Sequence, residues 1–437
     1  MVVTKSTVSL LFISLLLGYL LKNSPFFSAE MAGSNYAYCT LITRSSYLTG
    51  VVILAHTLKK SGSAYPLIVL YTDTLPQSSI RALELEAPHS NLILHHVSAL
   101  LPRDNIHVHL IAERFADTWT KLRVFQLHEL QQWDKLCYLD ADMIILKNMD
   151  HVFAKRLPGN DWIAANHACV CNLDKDAWAP AEWTAENCAY SAVQHPRALT
   201  APTPVTPDAR PTWHLLNSGM FLFKPSTKLW DDMIEFFNTT PLLSEFKFPD
   251  QDFLAEFFRD KWVSLGWQFN ALKTMRYWHE NIWRDDEVVC LHYIVDKPWA
   301  KRVDEDGVAG YLGRDGVTHT WWWQQYESWR QEREGQGESE ELGIVRNHVA
   351  KPISEEGDET DEMKAIGSQV QAFAKNKKPA EQQQLGGEGN DGVPEQDGEQ
   401  GAEESEQDPH GPVLRKKMLG ERGHGPRARG GSSQMLP

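Results

Sequence analysis

From Tyr36 onward the chain alternates short apolar runs with amphipathic segments, and this alternation constrains the fold more than any other feature. "YAYCTLIT" (36–43) predicts a buried strand, "YLTGVVILAHTLKKSG" (47–62) a helix and "YPLIVLYTD" (65–73) a second strand. "PQSSIRALELEA" (76–87) predicts a second helix and "NLILHHV" (91–97) a third strand. "TWTKLRVFQLHELQQW" (118–133) predicts a further helix, with apolar residues at 119, 122, 124, 125, 127 and 130. "LCYL" (136–139) then runs as a strand into Asp140. Apolar strands joined through helices pack as a mostly parallel sheet covered on both faces. Ligands of such sheets sit at the carboxyl ends of the strands, where Thr43, Asp73 and Asp140 fall.

The pattern breaks over 165–213, which is rich in Pro, Trp and Cys and reads as an inserted loop or lid. It resumes with "LLNSGMFLFKPS" (215–226), a helix "TKLWDDMIEFFNTT", a helix opening in "FPDQDFLAEFFRD" (248–260) and a last strand in "EVVCLHYIVDKPW" (287–299). After about residue 330 aromatics nearly vanish, and Glu, Gln, Gly, Ser and Lys dominate. Such a composition buries too little apolar surface to offset its ordering entropy. The expected organisation is therefore a catalytic-sized domain over 35–330 and a disordered, polar, acidic tail over 331–437, with a transient helix near 360–375.

Residues 1–34 carry "VSLLFISLLLGYLL" (8–21) between Lys5 and Lys22. The run is shorter than the ~20 residues that span a bilayer comfortably. It fits a signal-peptide core or a minimal anchor, and without a small-x-small cleavage site the anchor is the better fit. A start at Met31 would instead give a cytosolic protein, which the unpaired cysteine pattern favours slightly. A membrane partner is expected only in the anchor case. The net charge of −15 excludes a general nucleic-acid binder, because phosphate neutralisation needs clustered Lys and Arg. Of six cysteines, Cys39, Cys137 and Cys290 fall within strand-like runs and read as buried thiols. "HACVCN" (167–172) with Cys188 would suit a metal or a disulfide, although the spacing matches no common zinc pattern.

The chemistry centres on "LCYLDADMIILKNMD" (136–150). In extended backbone residues two apart point the same way, so Asp140 and Asp142 can approach one hard cation, for which oxygen ligands select Mg²⁺ or Mn²⁺. Such an ion clamps a diphosphate and stabilises it as a leaving group. His292 follows the apolar run "VVCL", and Lys297 follows in "HYIVDKPW", pairing an imidazole with an ammonium on one loop.

Taken in order, "TLITRSSYLTGVVILAHTLK", "TKLRVF", "YLDADMIILKNMDHVF", "LNSGMFLFKPS", "FPDQDFL" and "LHYIVDKPW" resemble the glycogenin and galactinol synthase family of retaining nucleotide-sugar transferases over about residues 36–300. "HACVCN", "DQDFL" and "FNALKTMRYWHEN" lean toward the galactinol synthase branch. The resemblance implies a GT-A fold, a mostly parallel mixed sheet flanked by helices. It implies transfer of a hexose from UDP-galactose or UDP-glucose to a hydroxyl acceptor (inositol, a sugar or a protein), with Mn²⁺ as cofactor, Mg²⁺ as second candidate, and room for a homodimer. Leu41, Thr43 and Tyr47 would line the uracil and ribose pocket, and Ala141 would contact the ribose through its backbone. Arg114 and Lys121 would face the phosphates or the sugar. Asp140, Asp142 and His292 would bind the metal. Asn217 and Ser218 would approach the donor sugar, Asp250 and Gln251 would lie beneath the anomeric carbon, and Lys297 would neutralise the departing diphosphate. The chain departs from the glycogenin branch in three places: Arg44 stands for Asn, Lys247 for Asp, and the histidine loop is one residue shorter and lacks a glycine.

Three rival readings are weaker. A strand followed by D-x-D also opens haloacid-dehalogenase-type phosphatases, but there it begins the domain, whereas here three strand–helix units precede it. A non-catalytic nucleotide-sugar-binding or scaffold protein would not need Asp140, Asp142, His292 and Lys297 intact. A glycogenin-like self-glucosylating primer would use a loop tyrosine such as Tyr190. Asn238-Thr239-Thr240 is a glycosylation sequon, meaningful only in the secretory pathway.

Overall fold

The computed structural model describes residues 34–103 and 117–351. Its first three strands, β1 (Tyr36–Ile42), β2 (Leu67–Tyr71) and β3 (Leu92–His96), fall where the apolar runs predict them, as does β4 (Lys135–Leu139). They pair in parallel in the order β3-β2-β1-β4. β7 (Leu216–Phe223) then pairs antiparallel with β4 on one side and with β6 (Ile163–His167) on the other, and β8 (Trp262–Ser264) closes the seven-stranded sheet. The fold is the mixed, mostly parallel GT-A sheet with helices on both faces.

Alternation along each strand feeds two cores. Tyr38 and Ile42 of β1 pack into one cluster, while Ala37 and Cys39 pack into the other. The first cluster is covered by α1 (Leu48–Lys60) and α2 (Gln77–Ser90). α1 is buried along nearly its whole length, from Leu48 to Leu58, so it reads as a core helix rather than an amphipathic one. Leu54→Ala within it would cost about 2–5 kcal/mol. Lys59 and Lys60 complement the dipole at its carboxyl end. The second cluster is covered by α3 (Thr227–Thr239), whose Ser226 Oγ caps the Leu229 N–H, and by α4 (Pro249–Phe257).

Residues Thr118–Glu129 also face this second cluster, and they form a 3₁₀ rather than an α-helix. Trp119, Leu122 and Phe125 are buried at a spacing of three, which a 3₁₀ helix stacks on one face.

A second sheet of three strands orders β5 (Met143–Ile145), β10 (Cys290–His292) and β9 (Ala271–Leu272). β10 runs antiparallel to β5 with His292 opposite Met143. The turn at Asp140–Asp142 is thus where the chain leaves the large sheet for the small one.

Two sequence-based boundaries need correction. Ala165, Asn166 and His167 belong to β6, so the irregular segment starts at 168 and runs to 215, apart from a short helix at Arg197–Thr200. More significantly, the domain does not end at 330. α5 (Gly316–Gln336) and α6 (Ser339–Arg346) continue the fold, and Arg333, Glu341, Leu342, Val345, Val349 and Ala350 are buried. Apolar residues are few there but lie on one side, and a charged cluster fixes the rest. Arg333 donates to both oxygens of Glu86 on α2 at 2.7 and 2.9 Å, and Trp329 Nε1 donates to the same carboxylate at 2.9 Å. The expected helix near 360–375 and the apolar run 8–21 lie outside the described residues. Among the described residues no helix is long and apolar enough to cross a membrane.

Candidate active site

The carboxyl ends of β1 and β4, the start of β7, the first turn of α4 and the loop after β10 surround one cavity of about 480 Å³. β7 contributes its beginning because it runs against β4. Leu41, Thr43, Tyr47, Lys121, Asp140, Ala141, Asp142, Asn217, Ser218, Asp250, Gln251, His292 and Lys297 all line this cavity. Arg114 lies outside the described residues. Asp73 is exposed and pairs with His96 at 2.7 Å, away from the cavity lining.

Two glycines permit the close approach. A Cβ on Gly219 of β7 would lie 2.4 Å from His292 Cε1, and a Cβ on Gly50 of α1 would lie 2.5 Å from the Ala141 carbonyl oxygen. The D-x-D turn is therefore seated directly on α1, and the histidine directly on β7.

Each aspartate uses its two oxygens differently. Asp140 Oδ1 takes Lys121 Nζ at 2.9 Å and the Tyr138 hydroxyl at 2.9 Å, while its Oδ2 lies 3.8 Å from His292 Nε2. Asp142 Oδ2 takes Lys297, while its Oδ1 lies 3.2 Å from His292 Nε2. Asp140 Oδ2, Asp142 Oδ1 and His292 Nε2 thus converge, and ligand atoms of these three residues lie within 4.8 Å of one another. The imidazole is fixed from behind. Its Nδ1 is 2.9 Å from Asn270 Oδ1 and donates to it, so Nε2 is the nitrogen turned toward the carboxylates and the one a metal would take.

The hydrogen bonds continue past Asn270. Its amide donates to Asn217 Oδ1 at 2.7 Å, and Asn217 donates to Gln251 Oε1 at 3.1 Å. A relay of amides therefore links His292 to the floor of the cavity. Sequence reading missed Asn270, although it lies in the quoted "FNALKTMRYWHEN". Beside this relay, Asp250 Oδ2 accepts from Lys121 Nζ at 2.5 Å and from Ser218 Oγ at 2.7 Å.

The electrostatics favour a cation at the convergence point. Burial, joined by the charges of Asp142 and Asp250, pushes the Asp140 carboxyl above its ordinary range despite Lys121 and His292. Burial would also raise Asp142, but Lys297 and His292 outweigh it and hold that carboxyl well below its ordinary range. Lys121 is buried too, yet Asp140 and Asp250 more than compensate and raise its pKa. Three carboxylates, Asp140, Asp142 and Asp250, thus crowd around the two ammonium groups of Lys121 and Lys297 and the His292 imidazole. Two facing carboxylate oxygens and a bare imidazole nitrogen fit a divalent ion of the Mn²⁺ or Mg²⁺ type.

Lys297 is held by the Tyr293 carbonyl at 2.8 Å as well as by Asp142, and is only 5% exposed. Its loop is braced on both sides. Buried Lys273 bonds Asp296 at 2.5 Å and Asp315 at 2.8 Å, and Trp299 Nε1 donates to Ser46 O at 2.9 Å. Within the loop Val295 sits at φ 71°, a left-handed conformation that strains a β-branched residue. The opposite wall is aromatic, a feature the sequence reading left inside an unassigned loop. Trp178 and Trp183 meet edge-to-face at 5.7 Å, and Phe248 stacks on Trp183 at 6.1 Å.

The tyrosine named for the self-glucosylating reading is poorly placed for it. Tyr190 is buried, and its hydroxyl donates to the His167 carbonyl at 2.7 Å, so it is not presented as a sugar acceptor.

The chain is similar to known glycosyltransferases. Galactinol synthase 4 of Arabidopsis thaliana is 27% identical over 275 residues, covering 62% of this chain and 75% of that protein. Galactinol synthase 1 of Solanum lycopersicum is 25% identical over 316 residues, covering 72% and 88%. Among solved structures, the glycosyltransferase GlyE of Streptococcus pneumoniae TIGR4 aligns with a TM-score of 0.43 and 18% identity over 69% of this chain and 64% of that one. Residues 38–302 match the family described as Glycosyl transferase family 8, and the chain belongs to that family.

Proposed function

We propose that this glycosyltransferase moves a hexose from a UDP-sugar to a small polyol, with Mn²⁺ held by Asp140, Asp142 and His292 and with retention at the anomeric carbon. The observation that carries this reading is the convergence of Asp140 Oδ2, Asp142 Oδ1 and His292 Nε2 beside Lys297 in one cavity. Bound there, the ion supplies Lewis-acid stabilisation of the diphosphate. Lys297 adds a buried, fixed positive charge that is worth most when charge accumulates on the leaving UDP. Leu41, Thr43 and Tyr47 hold the nucleoside, and Ala141 meets the ribose through its backbone. Asn217, Ser218 and Gln251 orient the donor hexose. Asp250, tethered by Lys121 and Ser218, faces the anomeric centre as a nucleophile or as a stabiliser of its developing positive charge.

The aromatic wall of Trp178, Trp183 and Phe248 suits the apolar face of a ring-shaped acceptor, with polar groups of the cavity fixing its hydroxyls. This, with the likeness to galactinol synthases, favours inositol as acceptor and UDP-galactose as donor, ahead of UDP-glucose and a sugar acceptor. The deciding experiment measures UDP release by the purified chain with each UDP-sugar, with and without inositol, in Mn²⁺ and in EDTA. NMR of the product reads the anomeric configuration. Inositol-dependent, EDTA-sensitive release giving an α-linked product is expected. Full activity in EDTA, or an inverted product, would overturn the assignment.

A further inference from the structure

A second cluster lies behind the aromatic wall. Cys169, Cys171 and Cys188 come together around His279, with ligand atoms within 4.8 Å of one another. His279 Nε2 is 3.3 Å from Cys169 Sγ, 3.0 Å from Cys171 Sγ and 3.7 Å from Cys188 Sγ. The Cys169 and Cys171 sulfurs are 3.7 Å apart, far beyond the ~2.05 Å of a disulfide. We propose that these four residues bind a structural zinc ion, distinct from the D-x-D metal, that staples the acceptor-side loop to the domain.

The dimensions match. Zinc bound tetrahedrally at about 2.3 Å to sulfur and about 2.0–2.1 Å to nitrogen sets ligand edges of roughly 3.8 Å between sulfurs and roughly 3.5 Å between sulfur and nitrogen. The observed edges lie within about half an ångström of these. Three sulfurs and one imidazole packed this closely suit one mononuclear thiophilic ion. Three of the four ligands are closed off, with Cys188 0%, His279 1% and Cys171 3% exposed, while Cys169 is half-buried at the edge of the cavity; four protein ligands fill a tetrahedral ion's positions, as in structural rather than catalytic sites. The surroundings are also built. His279 is the first residue after a helical turn, with its N–H on the Met275 carbonyl at 2.9 Å. The Tyr190 ring packs 5.5 Å from the imidazole. Asn281 next to it donates to the carbonyls of Tyr190 and Val193. On binding, the thiol protons leave to solvent and the thiolates take their place on the ion.

The consequence is positional. Cys171 and Cys188 bracket the segment that carries Trp178 and Trp183, and Cys169 itself lines the active cavity. The ion would hold this wall against the 275–283 segment. The C-x-C pair and Cys188 are separated in sequence from a single His279 far downstream, so no standard spacing signals the site.

The test uses the full-length protein purified without chelator and analysed by inductively coupled plasma mass spectrometry. About one zinc per chain is expected. His279→Cys and Asp142→Asn should keep it, and His279→Ala and Cys188→Ser should lose it. Cobalt exchanged into the parent protein should show the intense visible bands of tetrahedral thiolate coordination. That readout stands even if the ligand variants fail to fold. Three results would each overturn the proposal: a parent protein without zinc, zinc that survives Cys188→Ser, or zinc that disappears in Asp142→Asn. Iron in place of zinc would do the same.

Discussion

Lys297→Ala isolates the charge that the proposed reaction needs most. The ammonium is buried, pinned by the Tyr293 carbonyl and paired with Asp142. Two unit charges about 4 Å apart at an effective dielectric constant near 20 interact by about 4 kcal/mol, or roughly a thousandfold in rate. Part of that interaction is already committed to Asp142, so turnover should fall by roughly 10²–10³-fold. Metal binding should respond in the other direction. Without Lys297, Asp142 loses the partner that holds its carboxylate charge, and removing one member of a buried pair costs about 3–5 kcal/mol. A bound divalent ion replaces that charge, so Mn²⁺ should raise the melting temperature of the variant more than that of the parent. Steady-state UDP release at saturating donor and Mn²⁺, paired with thermal scans across a Mn²⁺ titration, reads both effects. Lys297→Arg should recover only part of the rate, since a planar fork does not replace a compact point charge. Parent-like turnover in Lys297→Ala, or a defect that excess Mn²⁺ erases, would refute the reasoning.

Gly219→Ala should leave the sheet intact but push His292 off its position, because the new methyl meets the imidazole at 2.4 Å; Mn²⁺ affinity by calorimetry should drop roughly 10–100-fold, as for losses in a metal ligand's support. Truncation after residue 330 should unfold or strongly destabilise the protein by removing Arg333 from Glu86 and Ala350 from Trp299, whereas truncation after 351 should keep the parent melting temperature in a calorimetric scan. Glu341 shares Arg333 with Glu86, and burial, then the hydrogen bond with Glu86 and its charge, pushes the Glu341 carboxyl up to about 10. A carboxyl raised in the folded state contributes stability at low pH that is lost as pH rises, here from about pH 4.5 upward. Glu341→Gln should therefore gain on the parent in urea unfolding between pH 5 and about 9, and an unchanged difference across that range would remove the raised Glu341 carboxyl as the cause.

The D-x-D turn was legible in the sequence because an apolar run forces a strand that delivers Asp140 to its carboxyl end; Asp142 joins it through the turn that follows rather than through extended backbone. His292 and Lys297 were legible as the end of another such run. Asn270 was not, since its importance lies in amide contacts to Asn217 and His292 from two other segments. Nor were Trp178 and Trp183, whose loop has no periodicity to place it. The helix over 118–129 was legible as a helix, but its spacing of three went unread as a 3₁₀ signal. The boundary at 330 failed for a different reason: composition averages over a window, while Arg333, Leu342 and Val345 succeed by position.

The antiparallel insertion of β7 between β4 and β6 also governs how the protein must fold. The walls of the cavity come from different stretches of chain, and β10 pairs with β5 across a long separation in sequence. Closing such distant contacts costs loop entropy before any reward arrives, which slows folding. An early intermediate built from local contacts would not yet bring together Asp140, Asp142 and His292, the proposed metal ligands. In refolding from denaturant, sheet formation should therefore precede ligand competence, with nucleotide binding recovered only in the final, slowest phase.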